Sequence, residues 1–190
     1  MLSQVLSGET MSTPEFTKII LNQIHQVLKP AGFRKTGSTF SAGRDDVVLF
    51  VQLQSSSKTT NLKLVATVNL AVFSCTIAKK VGNTRKPNLL DAQWQERIGL
   101  IMEERGDKWW EIGSNEEALE VGEEIARVLI EAALPQFHGI SSNDGLKKLW
   151  ETGASPGLTE YQRLQYLKAF NVMRTNKSNR IEQALGADSP

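Results

Sequence analysis

Few side chains in this sequence are of a type and spacing that could do covalent chemistry. The single cysteine is Cys75, and the two histidines are His25 and His138. Nucleophilic catalysis needs a base within hydrogen-bond reach of an activated Ser or Cys. Cys75 ends an apolar strand beside Phe73, where a small buried hydrophobe is the commoner meaning. His25 borders the apolar stripe of a helix, and His138 follows the helix stop expected at Pro135. Both read as structural or solvated rather than catalytic. One Cys and two distant His make no zinc-ligand spacing, and no Gly-rich phosphate loop is present. No metal and no cofactor are expected. The run Glu116, Glu117, Glu120, Glu123 and Glu124 could chelate a cation, but its spacing is that of a solvated helix face. Asp45 and Asp46 read as a hairpin turn. An enzyme would have to assemble its site from scattered groups such as Gln52, Gln54, Asn69 and Arg97, so the reading leans away from an enzyme without closing the question.

Charge points to binding instead. The net charge is only +1, so no global field favours nucleic acid or a membrane. Locally, residues 1–89 carry +7, residues 90–140 carry −8 and residues 141–190 carry +2. Offsetting charge across the fold is one meaning of that segregation; a surface for a partner is the other. The basic stretch KKVGNTRK places Lys79, Lys80, Arg85 and Lys86 in one loop, and Arg163, Lys168, Arg174, Lys177 and Arg180 follow without an intervening acid. These are candidate phosphate contacts.

The elements that must position these groups follow from hydrophobic period and punctuation. Residues 13–29 predict a helix with a Ser12/Glu15 capping box, Pro14 in its first turn, and a stop at Pro30 and Gly32. Strand, turn and strand follow, the second strand over 47–54. Residues 62–74 alternate as a long strand with one face packed. Residues 78–90 predict a basic loop, with a helical turn near DAQWQ. RIGLIM, EERGD and KWWEI predict a hairpin. Ser114 with Glu117 opens a helix to about Ala133, with Val121, Ile125, Val128, Leu129 and Ala132 buried and Pro135 at its end. Short helices are expected over 143–151, 159–174 and 178–185. The fold class is α+β: an antiparallel sheet of about five strands packed against helices, with a C-terminal helical extension. Residues 1–12 read as a flexible leader without signal-peptide features. Residues 13–140 are the α+β core domain, and 141–190 the extension packed on it.

Trp109 and Trp110 are adjacent. In a strand they point to opposite sides, so Trp110 shares the inner face with Ile112. Trp109 lies either under the C-terminal helices, the slightly favoured alternative, or open to a partner.

The strings LKPAGFRKTGSTFSAGRDDVVLFVQLQSS, VNLAVF, RIGLIMEERGDKWWEI and GASPGLTEYQRLQYL together resemble the bacterial domain of unknown function 4304 family over about residues 14–170. The resemblance rests on Gly-Phe after the first helix, a Gln-rich strand end, Arg-Ile-Gly and Trp-Trp. It implies no reaction. Some such small bacterial domains look like immunity proteins encoded beside toxins.

The expected function is therefore a non-enzymatic bacterial protein-binding module, with an immunity protein that occludes a cognate toxin as its concrete form. Trp109, Glu116, Glu117, Glu120 and Glu124 are the expected contacts, and a basic protein such as a nuclease toxin the expected partner. The alternative is a nucleic-acid-associated protein using Lys79, Lys80, Arg85 and Lys86 with the basic C-terminal helices. One cysteine and no apolar run of membrane length suit a cytoplasmic protein.

Overall fold

The computed structural model describes residues 12–44 and 46–171. Helix α1 (Thr13–Leu28) starts as expected, with the Glu15 carboxylate accepting the Ser12 N–H at 3.0 Å. It ends where Gly32, at φ +87°, turns the chain so that the Phe33 N–H reaches back to the Leu28 carbonyl at 3.1 Å. Glycine takes that left-handed conformation without a Cβ penalty, and the returned bond closes the helix end.

Strands β1 (Arg34–Thr36), β2 (Thr39–Arg44), β3 (Val47–Ser55) and β4 (Leu64–Ser74) come next. After them lie α2 (Cys75–Lys80), β5 (Trp94–Arg97), a 3₁₀ turn (Ile98–Leu100) and β6 (Trp110–Ile112). The helical remainder is α3 (Asn115–Val128), a π turn (Leu129–Ala133), α4 (Leu134–Ile140), α5 (Asn143–Glu151), and a helix over 160–171, here α6. The antiparallel sheet runs β1-β2-β3-β4-β5, and β6 also pairs with β4. The α+β expectation holds.

Three local expectations do not. The loop expected from residue 78 is preceded by α2, which takes in Ala78, Lys79 and Lys80. One of its caps is local and one comes from afar: Ser74 Oγ, at the N-cap, accepts the Ile77 N–H, and the distant Asp46 carboxylate accepts the Thr76 N–H at 2.9 Å. The hairpin of RIGLIM with KWWEI does not form. Ile98–Leu100 is a 3₁₀ turn, and β6 pairs with β4 in the register Leu64↔Ile112, Val65↔Glu111, Ala66↔Trp110. The returning chain still passes close to Gly99, whose carbonyl accepts the Gly106 N–H at 3.0 Å. Pro135 does not end the helical run. It lies inside α4, and the preceding turn widens to π geometry. A proline leaves a carbonyl four residues back without its donor, and a π turn is a way a continuous helix absorbs such a defect. The helix expected over 178–185, the end of that over 159–174, and most of the leader over 1–12 lie outside the described residues.

The described residues fall into two compact units, the first of 12–40, 52–68 and 97–133, the second of 41–44, 46–51, 69–96 and 134–171. In the first, α1 packs on α3 at Gly122. A Cβ there would meet Gln23 Cγ at 2.9 Å and Ile20 Cα at 3.5 Å, so glycine lets the helices close. Gly122 and Ala118 thus take buried places while Val121 stays half-buried. In the second unit, Phe50, Ala71, Phe73, Ala78 and Ala92 form a small core beneath α2. Trp94 meets Phe137 edge-on at 6.0 Å, and Trp150 packs on Phe170 at 5.8 Å.

Asp46 ties the second unit together. Burial alone would raise its pKa, but the Thr76 and Asn143 hydrogen bonds outweigh it and hold the carboxyl below its ordinary 3.8. Asn143 Nδ2 donates to Asp46 at 2.9 Å. A depressed folded-state pKa means the carboxylate stabilises the fold above the unfolded value, and that contribution fades as pH falls through the folded one. Asp46→Ala is expected to cost about 1.5–3 kcal/mol at pH 7. The gap from wild type should narrow below about pH 4. Urea melts at pH 7 and pH 3 check both.

Candidate functional site

The first unit carries an acidic helix with an outward stripe. At 100° per residue, Glu116, Leu119, Glu120, Glu123 and Arg127 fall within one third of the α3 circumference. Ile130 continues it into the π turn. Leu119 is 45% exposed and Ile130 53%. Glu116, Glu120 and Glu123 are exposed, and no ion pair engages them among the described residues. Arg127 faces Glu131 at 3.8 Å.

Two of the expected glutamates are turned to the chain's own use. Glu117 accepts the Gly113 N–H at 2.6 Å while its own N–H bonds the Ser114 hydroxyl at 3.1 Å. Glu124 accepts the Trp110 indole N–H at 2.8 Å, with Lys108 Nζ at 3.7 Å. Beside them, Glu103, Glu104, Glu124, Arg127 and Glu131 line a cleft of about 250 Å³. Among the described residues no three His, Cys, Asp or Glu side chains are placed to hold a metal ion.

The two tryptophans part as strand neighbours do. Trp110 is 5% exposed and faces α3; Ile112 is buried with it, and Glu111 is exposed. Trp109 is half-buried, with the Arg97 guanidinium 5.0 Å over its ring. Asp107 joins the two, taking Arg97 Nη1 on both carboxylate oxygens at 2.5 and 2.7 Å and the Trp109 Nε1–H at 3.2 Å. That contact to Arg97 holds the Asp107 carboxyl below its usual range. Trp109 thus belongs to a clasp with Arg97 and Asp107. The Arg-Ile-Gly and Trp-Trp strings meet here through Arg97 and Trp109, and Thr67 Oγ1 anchors the segment by donating to the Lys108 carbonyl at 2.8 Å. Asp107 was legible only as a turn residue.

In the second unit Cys75 opens α2, half-buried. Burial, then the charge of Asp46, pushes its thiol pKa up, which keeps it protonated and poorly nucleophilic at neutral pH. In the first, His25 lies 6.1 Å from the Phe40 ring, and Gln52 donates to Thr39 Oγ1 at 3.1 Å. His138, in the second unit, is exposed. The basic residues separate. Lys79 and Arg85 line a pocket of about 270 Å³ floored by Phe73, Cys75 and Ala78. Lys80 lines a different groove with Lys168 of α6. Lys86 is exposed, and Arg85 stands 3.6 Å from Asp91. Arg163 is spent on Glu160 and the Trp150 carbonyl.

Residues 24–139 match the family described as domain of unknown function (DUF4304). The chain belongs to that family. The match runs from within α1 to the end of α4 and takes in the clasp and the acidic helix of this DUF4304 chain. No curated protein and no solved structure matches it. None of its helices among the described residues is long and apolar enough to cross a membrane.

Proposed function

We propose that this protein is a protein-binding module whose contact surface is the outward stripe of α3. The carrying observation is the composition of that stripe: Glu116, Glu120 and Glu123, without an ion pair among the described residues, interleaved with exposed Leu119 and Ile130. Large apolar side chains on an acidic helix face fit a partner that is basic and carries apolar anchors. Desolvated apolar contacts would supply affinity, and the carboxylates would speed encounter and select the partner by charge. A basic toxin occluded at its cationic active site is the concrete partner we favour, in a bacterial cytoplasm, with no reaction catalysed. Trp109 is a lesser contact in this reading, its ring being shared with Arg97.

The test compares wild type with a Glu116→Lys/Glu120→Lys/Glu123→Lys variant as bait in nuclease-treated lysate of the source organism. All three side chains are exposed, so the variant is expected to fold. A basic protein held stoichiometrically by wild type and lost by the variant is the expected result. Equal retention by both removes the stripe as the interface.

A further inference from the structure

A groove lies in the second unit, independent of the reading above. It encloses about 590 Å³ between the end of α2 and α6, within the range of ligand sites. Lys80 and Val81 form one wall; Tyr161, Leu164 and Lys168 form the other. Residues some eighty positions apart in sequence therefore converge there, and no carboxylate is among the described lining.

Tyr161 is 70% exposed, yet its hydroxyl is fixed: Gln165 Nε2 donates to it at 2.9 Å, one helical turn on. An aromatic face held open to solvent beside two ammonium groups that form no ion pair among the described residues has the parts of a stacking site for a base with its phosphates in reach. Aromatic stacking is tolerant of base identity, and lysines follow the backbone. Val81 and Leu164, 42% and 52% exposed, supply apolar surface on the two walls for the rest of the base. Lys79 and Lys86 are exposed on the adjoining segment and add positive charge there.

The geometry points to a single-stranded nucleic-acid site in this groove, with Tyr161 stacking on a base and Lys80 and Lys168 contacting phosphates. Recognition is by backbone charge and stacking, so the site binds with little sequence preference and strong salt dependence.

Fluorescence anisotropy of the full chain with a labelled oligothymidylate and a labelled oligouridylate, over a salt series, tests it. Wild type is expected to bind at low salt. Tyr161→Ala should weaken binding about tenfold at every salt concentration. Lys80→Ala and Lys168→Ala should each lower the log–log salt slope by about 0.7. All three side chains are exposed, and thermal melts establish that the variants fold. Absence of binding at low salt overturns the proposal, as does binding that none of the three substitutions alters. Binding of a labelled acidic, leucine-containing peptide that weakens in Tyr161→Ala, where neither oligonucleotide binds, would also overturn it and give the groove to a protein segment.

Discussion

Trp110→Ala is expected to destabilise the protein by about 3–5 kcal/mol, the range for emptying a buried tryptophan site. Trp110 is 5% exposed and its indole N–H is bonded to Glu124 at 2.8 Å. Removing the ring opens a cavity under α3 and takes from the Glu124 carboxylate its indole donor. It also loosens β6, which is three residues long and held by its pairing with β4. Trp109→Ala, by contrast, removes a half-buried ring with a cation over it, for a loss of about 1 kcal/mol. Urea denaturation of the two variants measures the difference. Equal losses would contradict the assignment of one tryptophan to the core and the other to the clasp.

Gly99→Ala should cost about 3 kcal/mol, at the high end for overpacking. A Cβ on residue 99 would lie 2.3 Å from the Gly106 carbonyl oxygen and 2.7 Å from the Lys108 nitrogen. Both are backbone atoms, so no rotamer change relieves the contact. The loop between Gly99 and Lys108 must move, and with it Asp107, which links Arg97 to Trp109. The expected signature is lost stability with a red-shifted tryptophan emission as Trp109 loses its cover. Gly106→Ala is the matched control, because a Cβ there meets nothing within 4 Å. If the two glycine variants melt alike, the close approach at Gly99 is not what shapes the loop.

Both effects show where the sequence was readable. Periodicity located α1, β3, β4, α3 and α5 because each buries a face at a regular spacing, and that pattern is written in consecutive residues. The alternation Trp110-in, Glu111-out, Ile112-in followed from the same rule. What failed depends on contacts distant in the chain. The pairing of β6 with β4 rather than with residues 96–102 joins residues about forty-five positions apart, while Gly99 reads locally as one more residue of a strand. The helix α2 is capped by Asp46, about thirty residues upstream, so a basic, Gly-bearing stretch looked like a loop. The π turn at Leu129–Ala133 converts Pro135 from a stop into an interior residue.

The candidate site was legible to a similar degree. The acidic face of α3 was visible as a charge run, but which carboxylates stay free was not. Glu117 and Glu124 are consumed by Gly113 and Trp110, contacts that exist only once β6 lies against the helix. Glu123 shares the free stripe instead. Trp109 could not be placed without Asp107, whose link to Arg97 spans ten residues. The convergence of Lys80 with Lys168 likewise needs the fold of the second unit.

Zero-length carbodiimide cross-linking of the wild-type protein to the basic protein it retains, mapped by mass spectrometry, tests the central claim most directly. The account predicts amide links from Glu116, Glu120 or Glu123 to lysines of the partner, suppressed at high salt. Links arising solely from carboxylates away from α3, with those three glutamates unmodified by the partner, would contradict it.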